Sequence, residues 1–197
     1  MSIFEWSQGF LYENFRDEKV FILKFKNKGY FQDGIVHIPS RIEGLPVVEI
    51  GKDAFRNCDF ITTVIVPPTV VAIREHAFAD CKNLRCAIMA DNVKCVREGV
   101  FSGCTQLKTV NISEGLKHIE KNMFANCRAL ERIYLPDSVT SIGDTAFENC
   151  ENLDEINLPN DNIVKMGDDV FYNCVSMLPE QATDIKTMCF ELESDLR

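Results

Sequence analysis

The chain has 197 residues, 46% of them hydrophobic and 26% charged, with a formal net charge of −9. That hydrophobic share excludes a disordered chain, and the length allows one domain, or two small ones, with a core large enough to fold unaided. The acidic balance excludes nucleic-acid binding as the main activity, and no apolar stretch approaches the ~18 residues that span a bilayer, which excludes membrane insertion. Nine cysteines are an odd count in a chain long for a disulfide-stapled miniprotein, so reduced thiols are expected. The first ten residues contain Glu5 and no basic region, unlike a secretory signal. The expected location is therefore cytoplasmic, with the cell surface or secretion as the alternative.

Residues 1–34 do not repeat. Val20–Phe25 reads as a strand and Gly9–Glu13 as its hairpin partner, with Lys24, Lys26 and Lys28 nearby. From residue 35 to 177 the chain repeats. Cys58, Cys81, Cys104, Cys127, Cys150 and Cys174 are spaced by 23, 23, 23, 23 and 24 residues, the signature of a solenoid. Three residues before them stand Phe55, Phe78, Phe101, Phe124, Phe147 and Phe171, and three after come Ile61, Leu84, Leu107, Leu130, Leu153 and Met177. Next, pairs such as Val64/Val66 and Ile133/Leu135 alternate with period two, as a strand with one buried face does. Pro67, Pro136 or Pro159 often closes that strand, where no further ladder donor is needed.

A second apolar pair, such as Val70/Ile73 or Val139/Ile142, reads as a short strand on the other side of the coil. The insertion behind the last, longer spacing falls just before Ile163. One or two helical turns then place the Phe in the core, ending at Asn57, Asp80, Gly103, Asn126, Asn149 or Asn173. Gly and Asn best tolerate the left-handed conformation that follows a helix; Asp does so less well. No such unit buries its own apolar face, so stacked copies must share one core. The fold expected is an α/β repeat solenoid: a right-handed coil with a parallel sheet, short convex strands and short helices. Residues 1–34 form a β-hairpin cap over an otherwise open edge. Residues 178–197, with Met188-Cys189-Phe190 and an acidic end, form a second cap or a tail.

The segment Ile133–Leu153, IYLPDSVTSIGDTAFENCENL, resembles the repeat of the BspA-type leucine-rich repeat family. Val36–Phe55 resembles that family's first repeat, with five extra residues between Pro39 and Ile50. Ala90 and Ser113 depart from it where Pro is usual, and Val100, Met123 and Val170 where Ala is. The resemblance implies a parallel-sheet solenoid used for binding, with no catalytic residues to transfer and many secreted or surface-adhesin members.

The in-phase cysteines sit beside the Phe, so their sulfurs are expected inside as small apolar fillers. Cys86 and Cys95 lie off this ladder and face different ways, which prevents a shared tetrahedral metal with Cys81. His37, His76 and His118 are separated by repeat phase from one another and from any Ser or Cys nucleophile, and no phosphate loop or zinc motif is present. No enzyme activity and no cofactor are expected. The candidate partner-binding residues are instead the outward positions of the long strands: Thr63, Ile65, Cys86, Ile88, Thr109, Asn111, Arg132, Tyr134, Glu155 and Asn157. Adjacent exposed isoleucines lack a folding reason, and Tyr and Arg are enriched at interface hot spots. The expected function is a protein-interaction module with a protein partner of unidentified nature; the alternatives are a surface adhesin recognising a host protein or glycan, and a purely structural assembly repeat. Charge is uneven as well: up to residue 136 there are 18 basic and 16 acidic residues, and beyond it 3 basic and 14 acidic.

Overall fold

The computed structural model describes residues 3–7, 9–16, 18–25, 33–158 and 165–177. The expected C-terminal segment 178–197 with Cys189, the insertion before Ile163, Pro159, and Lys26 and Lys28 lie outside the described residues. The chain winds into a solenoid of about six turns with parallel sheets.

Each coil contributes one strand to each of two sides. On the long-strand side, β4 (Ile35–His37), β7 (Thr63–Val66), β9 (Cys86–Met89) and β11 (Thr109–Asn111) form one parallel sheet. β13 (Arg132–Tyr134) and β15 (Glu155–Asn157) form another. Alternation holds throughout: Val64, Val66, Ala87, Met89, Val110 and Ile133 are buried while their neighbours face out.

The short-strand side is headed by the N-terminal unit. β1 (Ile3–Ser7), β2 (Phe10–Phe15) and β3 (Lys19–Phe25) make an antiparallel meander, one strand more than the expected hairpin. β3 then pairs in parallel with β6 (Leu45–Ile50), which continues into β8 (Ala72–Ile73) and β10 (Cys95–Val96). β3 thus extends the solenoid's own ladder at its first edge. A separate run joins β12 (His118–Ile119), β14 (Ser141–Ile142) and β16 (Lys165–Met166). The five extra residues after Pro39 form a small hairpin between β5 (Arg41–Ile42) and β6. Glu43 and Gly44 carry φ of 49° and 79° at its tip, the left-handed pair that a two-residue hairpin requires.

The third side corrects the expectation of short helices: among the described residues it is built of turns, with no helix. Two left-handed residues per coil explain this. The expected positions Asn57, Asp80, Gly103, Asn126, Asn149 and Asn173 all have φ between 57° and 76°. A second set, unforeseen, stands two residues before each Phe: Asp53, His76, Gly99, Asn122, Thr145 and Asp169, at 51° to 63°. A right-handed helix cannot pass through left-handed residues so closely spaced. Backbone N–H groups of the turns bond across coils instead, as in Phe55 N–H to Ala77 O (2.8 Å) and Phe124 N–H to Ala146 O (2.8 Å). Thr145 is β-branched and adopts this region at a cost; its hydroxyl bonds Asn122 Oδ1 at 2.6 Å.

The core is a spine. Phe25, Phe55, Phe78, Phe101, Phe124, Phe147 and Phe171 stack with ring centroids 5.0 to 5.7 Å apart. Beside them, each thiol of Cys81, Cys104, Cys127, Cys150 and Cys174 donates to the carbonyl of the Phe one coil earlier, at 3.0 to 3.2 Å. These five sulfurs are buried and Cys58, in the first coil, is half-buried. The thiol is therefore more than a filler, since it adds a donor to a buried carbonyl in an otherwise apolar column. Burial pushes Cys104 up to about 12 and Cys174 to about 11, and Cys81, Cys127 and Cys150 are raised by the same cause.

Candidate interaction surface

The long strands set the outward residues in register. One row runs Ile35, Thr63, Cys86, Thr109; the next runs His37, Ile65, Ile88, Asn111. Ile35 and His37 extend both rows by one coil beyond the sequence-derived set. The match of Val36-His37-Ile38-Pro39 to Val64-Ile65-Val66-Pro67 was the signal that places them. Arg132 stands beside Glu155 and Tyr134 beside Asn157. These two groups do not form one unbroken column: β11 and β13 lie side by side without sharing a ladder.

The short-strand side is also interrupted, but one coil earlier, between β10 and β12. The coil holding β11 and β12 is therefore tied backward by its long strand and forward by its short one. Ser113 sits at this joint, in the place that Pro67 and Pro136 occupy in other coils. Ser113 is fully buried, and its hydroxyl donates to Val93 O at 2.7 Å while accepting the Gly115 N–H at 3.2 Å. It supplies a cross-coil bond where the ladder does not.

The two groups of outward residues differ in how they are engaged. In the C-terminal group, Glu155 accepts from the Tyr134 hydroxyl at 3.0 Å and pairs with Arg132 at 3.2 Å. That carboxylate raises the Tyr134 phenol above its ordinary value. The Asn157 amide turns back onto β13, accepting from Leu135 N–H at 2.7 Å and donating to Leu135 O at 3.1 Å. In the N-terminal group, Thr63, Ile65 and Cys86 are half-buried, and Thr109 and Asn111 are exposed. Ile88 keeps 42% of its surface open and Tyr134 58%. Partial burial raises the Cys86 thiol, which lowers its nucleophilicity at neutral pH.

The remaining candidates stay apart. Cys86 lies on the long-strand side and Cys95 on the short-strand side. Among the described residues no group of three or more His, Cys, Asp or Glu side chains is arranged to hold a metal, and no helix is long and apolar enough to cross a membrane. His76 approaches Glu98 at 3.8 Å, and His118 Nδ1 lies 2.7 Å from the Ser141 hydroxyl.

Comparison with protein families settles the relationship. The model of the BspA type leucine rich repeat region matches residues 48–178 and 117–197, with six copies. The chain belongs to this family. Its structure is similar to that of a leucine rich repeat protein from T. pallidum, with 26% identity, a TM-score of 0.74, and coverage of 94% of this chain and 96% of that one. It is also similar to a leucine rich cell surface protein from Faecalibacterium prausnitzii, at 24% identity and a TM-score of 0.62, over 90% of this chain and 53% of that one. The pneumococcal vaccine antigen PcpA shares the fold at 13% identity and a TM-score of 0.52, over 90% and 69% of the two chains. No curated protein matches this sequence.

Proposed function

We propose that this BspA-type repeat protein is a non-enzymatic interaction module that binds a protein partner through its long-strand face, at the ten outward positions from Thr63 to Asn157. The observation that carries the reading is the register of that face. Ile65 and Ile88 are direct neighbours on adjacent strands, and Ile88 remains open while the chemically equivalent inward positions are fully buried. An apolar pair held in register on adjacent strands, with Ile88 exposed, on the side of the solenoid that also carries Arg132 and Tyr134 two coils on, has the composition of an interface centre. The spine supports this role by holding successive strands at fixed spacing whatever their outward residues are. Residues 1–34 serve as the edge cap and 35–177 as the scaffold.

The test is affinity purification from the native source with the wild type and with the double variant Ile88→Asp/Tyr134→Asp. Both positions are open, so the variant is expected to retain its circular dichroism spectrum and to lose its partners. Full recovery of partners by the folded variant refutes the reading.

A second reading, an adhesin recognising a host protein or glycan, draws on the similarity to a structure described as a cell surface protein. That description fits the surface alternative rather than the cytoplasmic location expected from the sequence. Fractionation of intact cells separates the two readings, with surface exposure favouring the adhesin.

A further inference from the structure

The rim along which the long strands begin carries a graded row of charge. At corresponding positions just before successive strands stand Thr62, Arg85, Lys108, Glu131 and Asp154. Backbone bonds place them in sequence: Arg85 N–H donates to Thr62 O, Lys108 N–H to Arg85 O, and Asp154 N–H to Glu131 O. Three residues ahead of these lie Asp59, Lys82, Thr105, Arg128 and Glu151.

The cations of this rim are not equally occupied. Arg128 pairs with Glu151 at 3.1 Å, as Arg132 on β13 does with Glu155 at 3.2 Å, while Lys108 reaches Glu131 only at 4.0 Å with both side chains about 60% exposed. Among the described residues, neither Lys82 nor Arg85 meets a carboxylate within 4.0 Å, and both side chains are exposed. The nearby Asp59 is engaged elsewhere, accepting the Lys82 backbone N–H at 3.2 Å. The cationic rim borders the Thr63, Cys86, Thr109 row, whose side chains are short, and beyond it stands the taller Ile65, Ile88 pair.

From this arrangement we infer that the long-strand face between β7 and β11 takes an acidic peptide segment bearing an aliphatic side chain, laid across the strands. The inference rests on the proposed use of this face and names the chemistry of what it binds. The aliphatic side chain packs on Ile65 and Ile88, the backbone lies over the Thr-Cys-Thr row, and carboxylates meet Lys82, Arg85 and the loosely held Lys108. With coils ~4.8 Å apart, about four to five extended residues span the site. A polyanion without apolar groups satisfies the rim but leaves the isoleucines open, so a peptide fits better than a sulfated glycan. The paired charges of β13 and β15 mark the end of the site.

The test uses the full chain and fluorescent capped peptides of equal length: one alternating Asp/Glu with Leu, one with Lys replacing the acids, one with Gln. Heparin serves as the polyanion control. The acidic peptide is expected to bind at least about tenfold tighter than the Lys and Gln peptides, more weakly as salt rises. Lys82→Glu/Arg85→Glu is expected to reverse that preference, and Ile88→Asp to abolish it, with unchanged circular dichroism. Equal binding of the three peptides, binding of heparin alone, binding unaffected by these variants, or no peptide binding overturns the inference. The wider interaction reading fails separately, if native partners still bind the Ile88→Asp/Tyr134→Asp protein.

Discussion

On the turn side, every coil from Phe78 to Phe171 repeats one arrangement of ring, thiol and carbonyl, and the cross-coil bonds run without a break. On the strand side the outward residues change at every coil, and both ladders stop at the joint around Ser113. The contrast shows a division of labour. Nearest-neighbour stacking on the turn side carries the one-dimensional stability of the solenoid. Relieved of that demand, the strand side can lose ladder bonds and vary its surface.

Alkaline pH challenges this division most severely, because it acts on all the buried thiols at once. Their folded values are raised above the ordinary 9.0, with Cys174 at about 11 and Cys104 at about 12. Above pH 9 the unfolded chain releases thiol protons that the folded chain retains, so the unfolded state binds fewer protons and stability falls as pH rises. The stabilisation is fully present below pH 9 and is lost as pH rises toward 11–12, by on the order of 1 kcal/mol per buried thiol per pH unit. Denaturant midpoints measured from pH 7 to 10.5 are expected to hold level and then drop. A flat profile contradicts buried thiols.

Phe101→Ala comes next. Phe101 is fully buried between Phe78 and Phe124, so its loss interrupts the spine at the coil where the strand ladders are already interrupted. The expected cost is about 3–5 kcal/mol, read as a fall in the urea midpoint. Ser113→Ala probes the joint from the strand side. It removes the bond to Val93 O and the acceptor for Gly115 N–H, at an expected cost of about 1–2 kcal/mol. Hydrogen exchange should speed up around residues 93 and 115 while the turn amides near Phe101 stay protected. The smallest effect expected is a gain. Ala90 closes β9 where Pro67 closes β7, and Val93 N–H bonds Ala90 O just as Val70 N–H bonds Pro67 O. Ala90→Pro is expected to stabilise by about 0.4–1 kcal/mol through the unfolded chain, raising the melting temperature slightly.

Much of this molecule was legible in the sequence because a period of 23 residues places the same side chain in the same environment again and again. The Phe and Cys positions, the alternation of the long strands and the left-handed Asn and Gly residues all followed from that period. The second left-handed position was not legible, since Asp53, His76, Gly99, Asn122, Thr145 and Asp169 share no residue type. Their conformation is imposed by the cross-coil bonds of the turns, and those bonds exist only once coils stack. Helical turns were expected for the same reason: local spacing does not distinguish a short helix from a turn whose donors point to the next coil.

The outward residues show the same boundary more sharply. Repeat phase sufficed to name which side chains point away from the core. It did not reveal that Glu155 serves both Arg132 and Tyr134, that Asn157 folds back onto Leu135, or that Lys82 and Arg85 meet no carboxylate among the described residues. The repeat, its core and its facing were set by sequence, because burial of a periodic apolar pattern admits few arrangements. Which surface charges neutralise one another, and where the ladders break, emerged with the folded coil. Both depend on distances between residues about 23 positions apart, and those distances are set by how each coil seats on its neighbour.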